Sequence, residues 1–167
     1  MSTKDITSLH GIPVPVEIMG IERRAIVDNE VDNPGLGYTI AYQSGRITVT
    51  LYIYDFGVTD LPDGVKSPEL NDHFSQCVDD AEKGSANRNE PYELLGTYAV
   101  GSNEFVDFYC AKFSGSTQQG PTLSSIYLSA KNGYFVKLRI SCPNLSEDAG
   151  GLMDDIGSAY AHLLWPR

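Results

Sequence analysis

The run Arg46-Ile-Thr-Val-Thr-Leu-Tyr-Ile-Tyr, continued by Asp55-Phe-Gly-Val-Thr-Asp-Leu-Pro-Asp-Gly, constrains the fold more than any other part of the chain. Side chains alternate across a strand, so Ile47, Val49, Leu51 and Ile53 share one face while Arg46, Thr48, Thr50, Tyr52 and Tyr54 share the other. The first face is aliphatic and has to be buried. The second is hydroxyl-rich and suits a half-covered surface. A strand of this kind implies a sheet with a second layer packed on it.

The segments around this strand extend the same logic. Ile21 to Asn29 reads as a strand ended by the polar loop with Asn33-Pro34-Gly35, and Gly37 to Gln43 as a half-buried strand. Ser44-Gly45 joins the latter to the central strand as a hairpin. Downstream, Leu61-Pro62-Asp63-Gly64 signals a turn, because Pro presets φ and Gly accepts positive φ. Ser67-Pro68-Glu69 then predicts a helix start, with Ser as N-cap and Pro in the first turn. Leu70, Phe74, Cys77, Val78 and Ala81 form its apolar stripe, and Gly84 is expected to end it.

Three or four more strands are predicted, at Glu93–Val100, Glu104–Phe113, Leu123–Ala130 and Tyr134–Ser141, the last two joined through Asn132-Gly133. Ser146 is expected to cap a final helix with the stripe Leu152, Met153, Ile156, Ala159, Tyr160, Leu163 and Leu164. Hairpins outnumber helices, so the expectation is an α+β fold: a largely antiparallel six- to seven-stranded sheet flanked by two main helices. Residues 1–10 are polar and expected to be a flexible segment, and 11–167 a single domain. The two prolines of Gly11-Ile-Pro-Val-Pro-Val suit an extended entry segment rather than a ladder strand.

Composition enters through what it excludes. With 22 acidic against 12 basic residues the formal charge is −10, a field that repels phosphate backbones and anionic lipid, so nucleic acid is not an expected partner. No window approaches the ~18 consecutive apolar residues of a membrane span. The first twenty residues lack the basic and apolar regions of a signal peptide, leaving a soluble chain that is either cytoplasmic or the mature part of an exported protein. The three cysteines show no zinc-ligand spacing. Cys77 lies on a helix stripe, while Cys110 and Cys142 lie in or after strands and would pair if their Cα atoms approach within about 7 Å.

Two stretches carry a family resemblance. Gly20-Ile-Glu-Arg-Arg-Ala-Ile-Val-Asp-Asn-Glu with Asn33-Pro-Gly-Leu-Gly-Tyr is one, and Leu51-Tyr-Ile-Tyr-Asp-Phe-Gly with Leu61-Pro-Asp-Gly and Ser67-Pro the other. Together they resemble a family of uncharacterised bacterial domains, many of them exported, and the element order is similar to the Mog1/PsbP-type α/β sandwich. The resemblance implies a binding or assembly module with no shared active site.

The residues themselves offer two candidate sites. Arg46, Tyr52 and Tyr54 on the central strand, with Tyr127, Lys137 and Arg139 from others, would make a mixed aromatic and basic surface if they share one side of the sheet. Such a surface suits a small anionic or carbohydrate-like ligand or an acidic protein segment. Asp55, Asp60 and Asp63 crowd the loop after that strand and would supply carboxylates to a hard metal ion, or serve a small metal-dependent hydrolase, though the spacing is not that of an EF-hand. A Cys77–His73 pair stands at i, i+4 on a helix, where a buried mid-helix thiol lacks the activation a nucleophile needs. No phosphate loop, nucleophile elbow or cofactor motif occurs. The reading is therefore a non-catalytic binding or assembly domain using the tyrosine-rich sheet face.

Overall fold

A computed structural model of the chain describes residues 5–87, 89–101, 105–145 and 147–166. Its elements, in order, are β1 (Ser8–Leu9), β2 (Ile12–Pro13), β3 (Glu17–Ile18), β4 (Ile21–Asp28), β5 (Tyr38–Ser44), β6 (Ile47–Tyr54) and α1 (Pro68–Asn87). β7 (Glu93–Gly101), β8 (Val106–Thr117), β9 (Gly120–Lys131), β10 (Tyr134–Pro143) and α2 (Ala149–Leu164) follow. Eight strands form one antiparallel sheet in the order β3-β4-β5-β6-β10-β9-β8-β7, and β1 pairs with β2 in a small ribbon. The expected α+β architecture is present, with a wider sheet than the six or seven strands anticipated because the short β3 adds an edge.

The central position of β6 follows from its two-sided sequence. It pairs with β5 on one side and β10 on the other, with Tyr52 opposite Lys137 and Leu51 opposite Leu138. Val49, Leu51 and Ile53 are fully buried with Ile40, Val136, Leu138, Met153, Ile156 and Tyr160 beneath α2 and the amino-terminal strands. Tyr160 Oη donates to Pro13 O at 2.7 Å and Tyr42 Oη to Pro15 O at 2.8 Å, so buried tyrosines satisfy carbonyls of the entry segment. The opposite face is only half covered. There α1 packs Leu70 against Tyr54, Leu128 and Phe135, and Cys77, Val78 and Ala81 against Ala111, Phe113 and Ile126. Thr48 and Val27 on that face stay exposed, and Thr50 and Tyr52 partly so.

Several expectations change in detail. The segment before Gly11 is folded from Asp5 onward: Ser8–Leu9 pairs with Ile12–Pro13, and the His10 ring stacks on Tyr134 at 4.6 Å. Against the expectation for the two prolines, Pro13 joins this ladder opposite Ser8, at the end of a ribbon only two residues long, while Pro15 lies outside it. α1 runs past Gly84 to Asn87, since Ser85 is fully buried, donates to Glu82 O at 2.8 Å and accepts from Tyr92 N at 2.9 Å. Its start is as predicted, with Ser67 Oγ accepting from Leu70 N at 3.1 Å. The expected cap at Ser146 lies outside the described residues.

Cys110 and Cys142 are free and buried. They occupy β8 and β10, with β9 between them and Cys110 paired to Tyr127 where Cys142 pairs to Leu123. Two strand spacings plus a four-residue offset separate them by roughly 16 Å, far beyond disulfide reach. No described helix is long and apolar enough to cross a membrane.

Candidate functional site

The site forms where α1 stops covering the sheet. Tyr52, Tyr54, Lys137 and Arg139 share this face, because Lys137 is registered opposite Tyr52 and Arg139 opposite Thr50. The Lys137 ammonium sits 4.7 Å from the Tyr52 ring centre and 5.7 Å from that of Tyr54. Lys137 and Arg139 are two positions apart on one strand face, which puts their Cα atoms about 7 Å apart. Both are partly buried, and among the described residues neither makes a salt bridge or a hydrogen bond.

The helix contributes the opposite wall. His73, Cys77 and Asp80 follow one another along one side of α1 and, with Gln76, face β10 across a recess of about 190 Å³. Tyr54 Oη lies 2.7 Å from His73 Nε2, and Cys77 Sγ lies 3.5 Å from the same nitrogen. Burial, reinforced by the Lys137 charge, lowers the His73 imidazole to about 4, so it is neutral near pH 7. Burial holds the Tyr54 hydroxyl well above its usual value and raises the Cys77 thiol, so both remain protonated near pH 7. The Tyr54 hydroxyl, the Cys77 thiol and the His73 ring thus meet at Nε2 in one neutral hydrogen-bonded cluster. Burial, with Arg139 adding repulsion, pulls the Lys137 ammonium below its ordinary value.

The Phe56 ring forms the rim. It is 52% exposed and stands 4.8 Å from the Tyr54 ring and 5.2 Å, edge-on, from His73. Its φ of 52° lies in the left-handed region, held by Phe56 N donating to Gly35 O at 2.9 Å and by Gly57 N donating to Asp55 Oδ1 at 2.8 Å.

The remaining sequence candidates lie elsewhere. Tyr127 pairs with Leu138 and Cys110, which puts it on the α2 face, where its hydroxyl donates to Asp154 at 2.8 Å. Arg46 falls in the Gly45–Arg46 turn, because Ser44 rather than Gly45 pairs with Ile47, and its guanidinium donates to Gln119 O. It stands about 20 Å along the strand from Tyr52. Asp55 caps its own turn; Asp63 accepts from Asn132 N at 2.9 Å and lies 3.7 Å from Lys131 Nζ; Asp60 is exposed. Among the described residues no group of three His, Cys, Asp or Glu side chains is placed to hold a metal ion. The sequence offers His73 only as the i, i+4 neighbour of an unactivated Cys77, and Phe56, Gln76 and Asp80 are not among its candidate site residues. The i, i+3/i+4 spacing of His73, Cys77 and Asp80 was the available signal for the helix wall.

No protein-family model and no curated protein matches the chain. Among solved structures, the fold is similar to that of cyanobacterial PsbP (CyanoP) from Synechocystis sp. PCC 6803, known from its solution structure. The TM-score is 0.55 at 13% identity, covering 81% of this chain and 79% of that one. The likeness is one of fold: the chain has a PsbP-like α+β fold.

Proposed function

We propose that the chain is a non-catalytic binding domain whose ligand is anionic and meets the sheet at Lys137 and Arg139. The observation that carries this reading is the pair of partly buried cations, side by side and in no salt bridge among the described residues, with the single carboxylate of the recess lining, Asp80, left to offset two positive charges. Holding two like charges together in a recess is unfavourable unless an anion answers them. On a chain of net charge −10 such a pair stands out from the surrounding field. The nearby groups are poorly suited to catalysis: His73 Nε2 is already engaged by Tyr54, and the Cys77 thiol is pushed up by burial rather than activated. The binding and assembly roles implied by the sequence resemblance agree with this.

The test is a thermal-shift screen of the full chain against small carboxylates, inorganic phosphate, neutral sugars and an acidic peptide, with Arg139→Gln as control. An anion at about 100 times its dissociation constant adds about 2.7 kcal/mol, which raises the midpoint by roughly 5–10 °C. The reading expects anions to shift the wild type and not the variant. Equal shifts in both proteins, or a response to sugars alone, would remove it.

A further inference from the structure

The geometry points to a pocket for a small organic monocarboxylate in the recess between α1 and β10, its carboxylate against Lys137 and Arg139 and its body under Phe56. This rests on the anionic-ligand reading above and narrows it to one chemical class.

Size is the first argument. A volume of about 190 Å³ is close to that of an apolar cavity of about 150 Å³ that takes up benzene, so the part of a ligand it holds is a small organic group. Nucleotides, oligosaccharides and folded segments are too large to be held within it and would enter only by an end group of this size.

Charge is the second. Lys137 and Arg139 line one wall and Asp80 the other, a local balance of one positive charge. A monoanion satisfies that balance, while a second negative group would be pressed towards Asp80. The carboxylate matches the planar donor fork of Arg139. Gln76 and Asp80 leave a polar side on which a hydroxyl of the ligand would find an acceptor.

The rim supplies the third. Phe56, Ala81 and Ile126, with the ring carbons of Tyr54 and His73, give the recess an apolar side. Phe56 is a bulky residue in the left-handed region, displaying half of its ring to solvent. Both features cost stability in the unliganded chain, and strain of this kind clusters at binding sites. A ligand body beneath that ring would bury the exposed surface.

The experiment is calorimetric titration of the full chain with butyrate, its neutral isostere butyramide, and inorganic phosphate. It is performed on wild type, Phe56→Ala and Arg139→Gln. Butyrate is expected to bind the wild type at least roughly tenfold more tightly than either other probe, a gap of about 1.4 kcal/mol. Phe56→Ala should weaken butyrate several-fold and leave phosphate unchanged, while Arg139→Gln should weaken both anions. Phosphate binding as tightly as butyrate, with Phe56→Ala without effect, would overturn the monocarboxylate pocket and leave the anion site standing. Butyramide binding as well as butyrate would overturn the carboxylate clamp. No heat with any anion, or anion binding indifferent to Arg139→Gln, would overturn both readings together.

Discussion

Protonation of His73 should destabilise the fold, and the size of the effect follows from its surroundings. The unfolded imidazole takes a proton near 6.5, whereas the folded one, buried and facing Lys137, does so only at about 4. Between those values the unfolded state binds more protons, so stability falls as the pH is lowered through this window. The groups around the ring are Tyr54 and Phe135 on the sheet, Phe56 on the loop, Cys77 and Asp80 on α1 and Lys137 on β10; of the charged ones, Asp80 favours the imidazolium and Lys137 opposes it more strongly.

The gap between 6.5 and about 4 corresponds to about 3 kcal/mol, and solvent screening of a partly exposed ring reduces this to about 1–2 kcal/mol. Other carboxylates titrate in the same range, so the wild type must be compared with His73→Phe, which keeps the ring contacts and removes the titration. Urea denaturation at about pH 7.5 and about pH 4.5 should show the wild type losing about 1–2 kcal/mol more than the variant, equivalent to roughly 3–6 °C in midpoint. Loss of the Tyr54 hydrogen bond lowers the variant at both pH values and cancels from the difference. Identical pH slopes for the two proteins would refute the buried, neutral His73 described above.

Three further outcomes follow from the packing. Gly37→Ala should cost at least about 3 kcal/mol in chemical denaturation, since its φ is +62° and a Cβ would meet Ile53 O at 1.7 Å. Asp154→Ala should cost about 2 kcal/mol by leaving the Lys112 ammonium and the Tyr127 hydroxyl beneath α2 without their carboxylate; adding Lys112→Met should restore part of the loss. The three thiols, all free and buried, should react with a thiol reagent only when the chain unfolds, and non-reducing and reducing mass spectra should agree.

The sheet was legible in the sequence because its signals are local. The alternation of β6, the Asn132-Gly133 turn with φ of 53° and 85°, and the Ser67-Pro68 cap each specify their element through nearest neighbours. Faces across strands were less legible. Tyr127 was grouped with Lys137, yet it pairs with Leu138 one position along, and a one-residue change of register moves a side chain to the other side of the sheet. Arg46 was misplaced for a similar reason, since a turn shifted by one residue took it out of the strand. The recess itself depends on where α1 lands on β9 and β10, a long-range outcome that the helix stripe does not encode. His73 and Asp80 acquire a site only because Phe56 and Lys137 come to face them.

The central claim is that ligands meet this protein on the α1 side of the sheet at β10. Its most direct test is ¹⁵N-HSQC mapping of the full chain during titration with a small carboxylate. The account predicts shifts concentrated at Tyr54, Phe56, His73, Cys77, Lys137 and Arg139, with the α2 face around Tyr127 and Tyr160 unmoved. Shifts gathered instead on the Asp55–Asp63 loop alone, on the α2 face, or nowhere would contradict it.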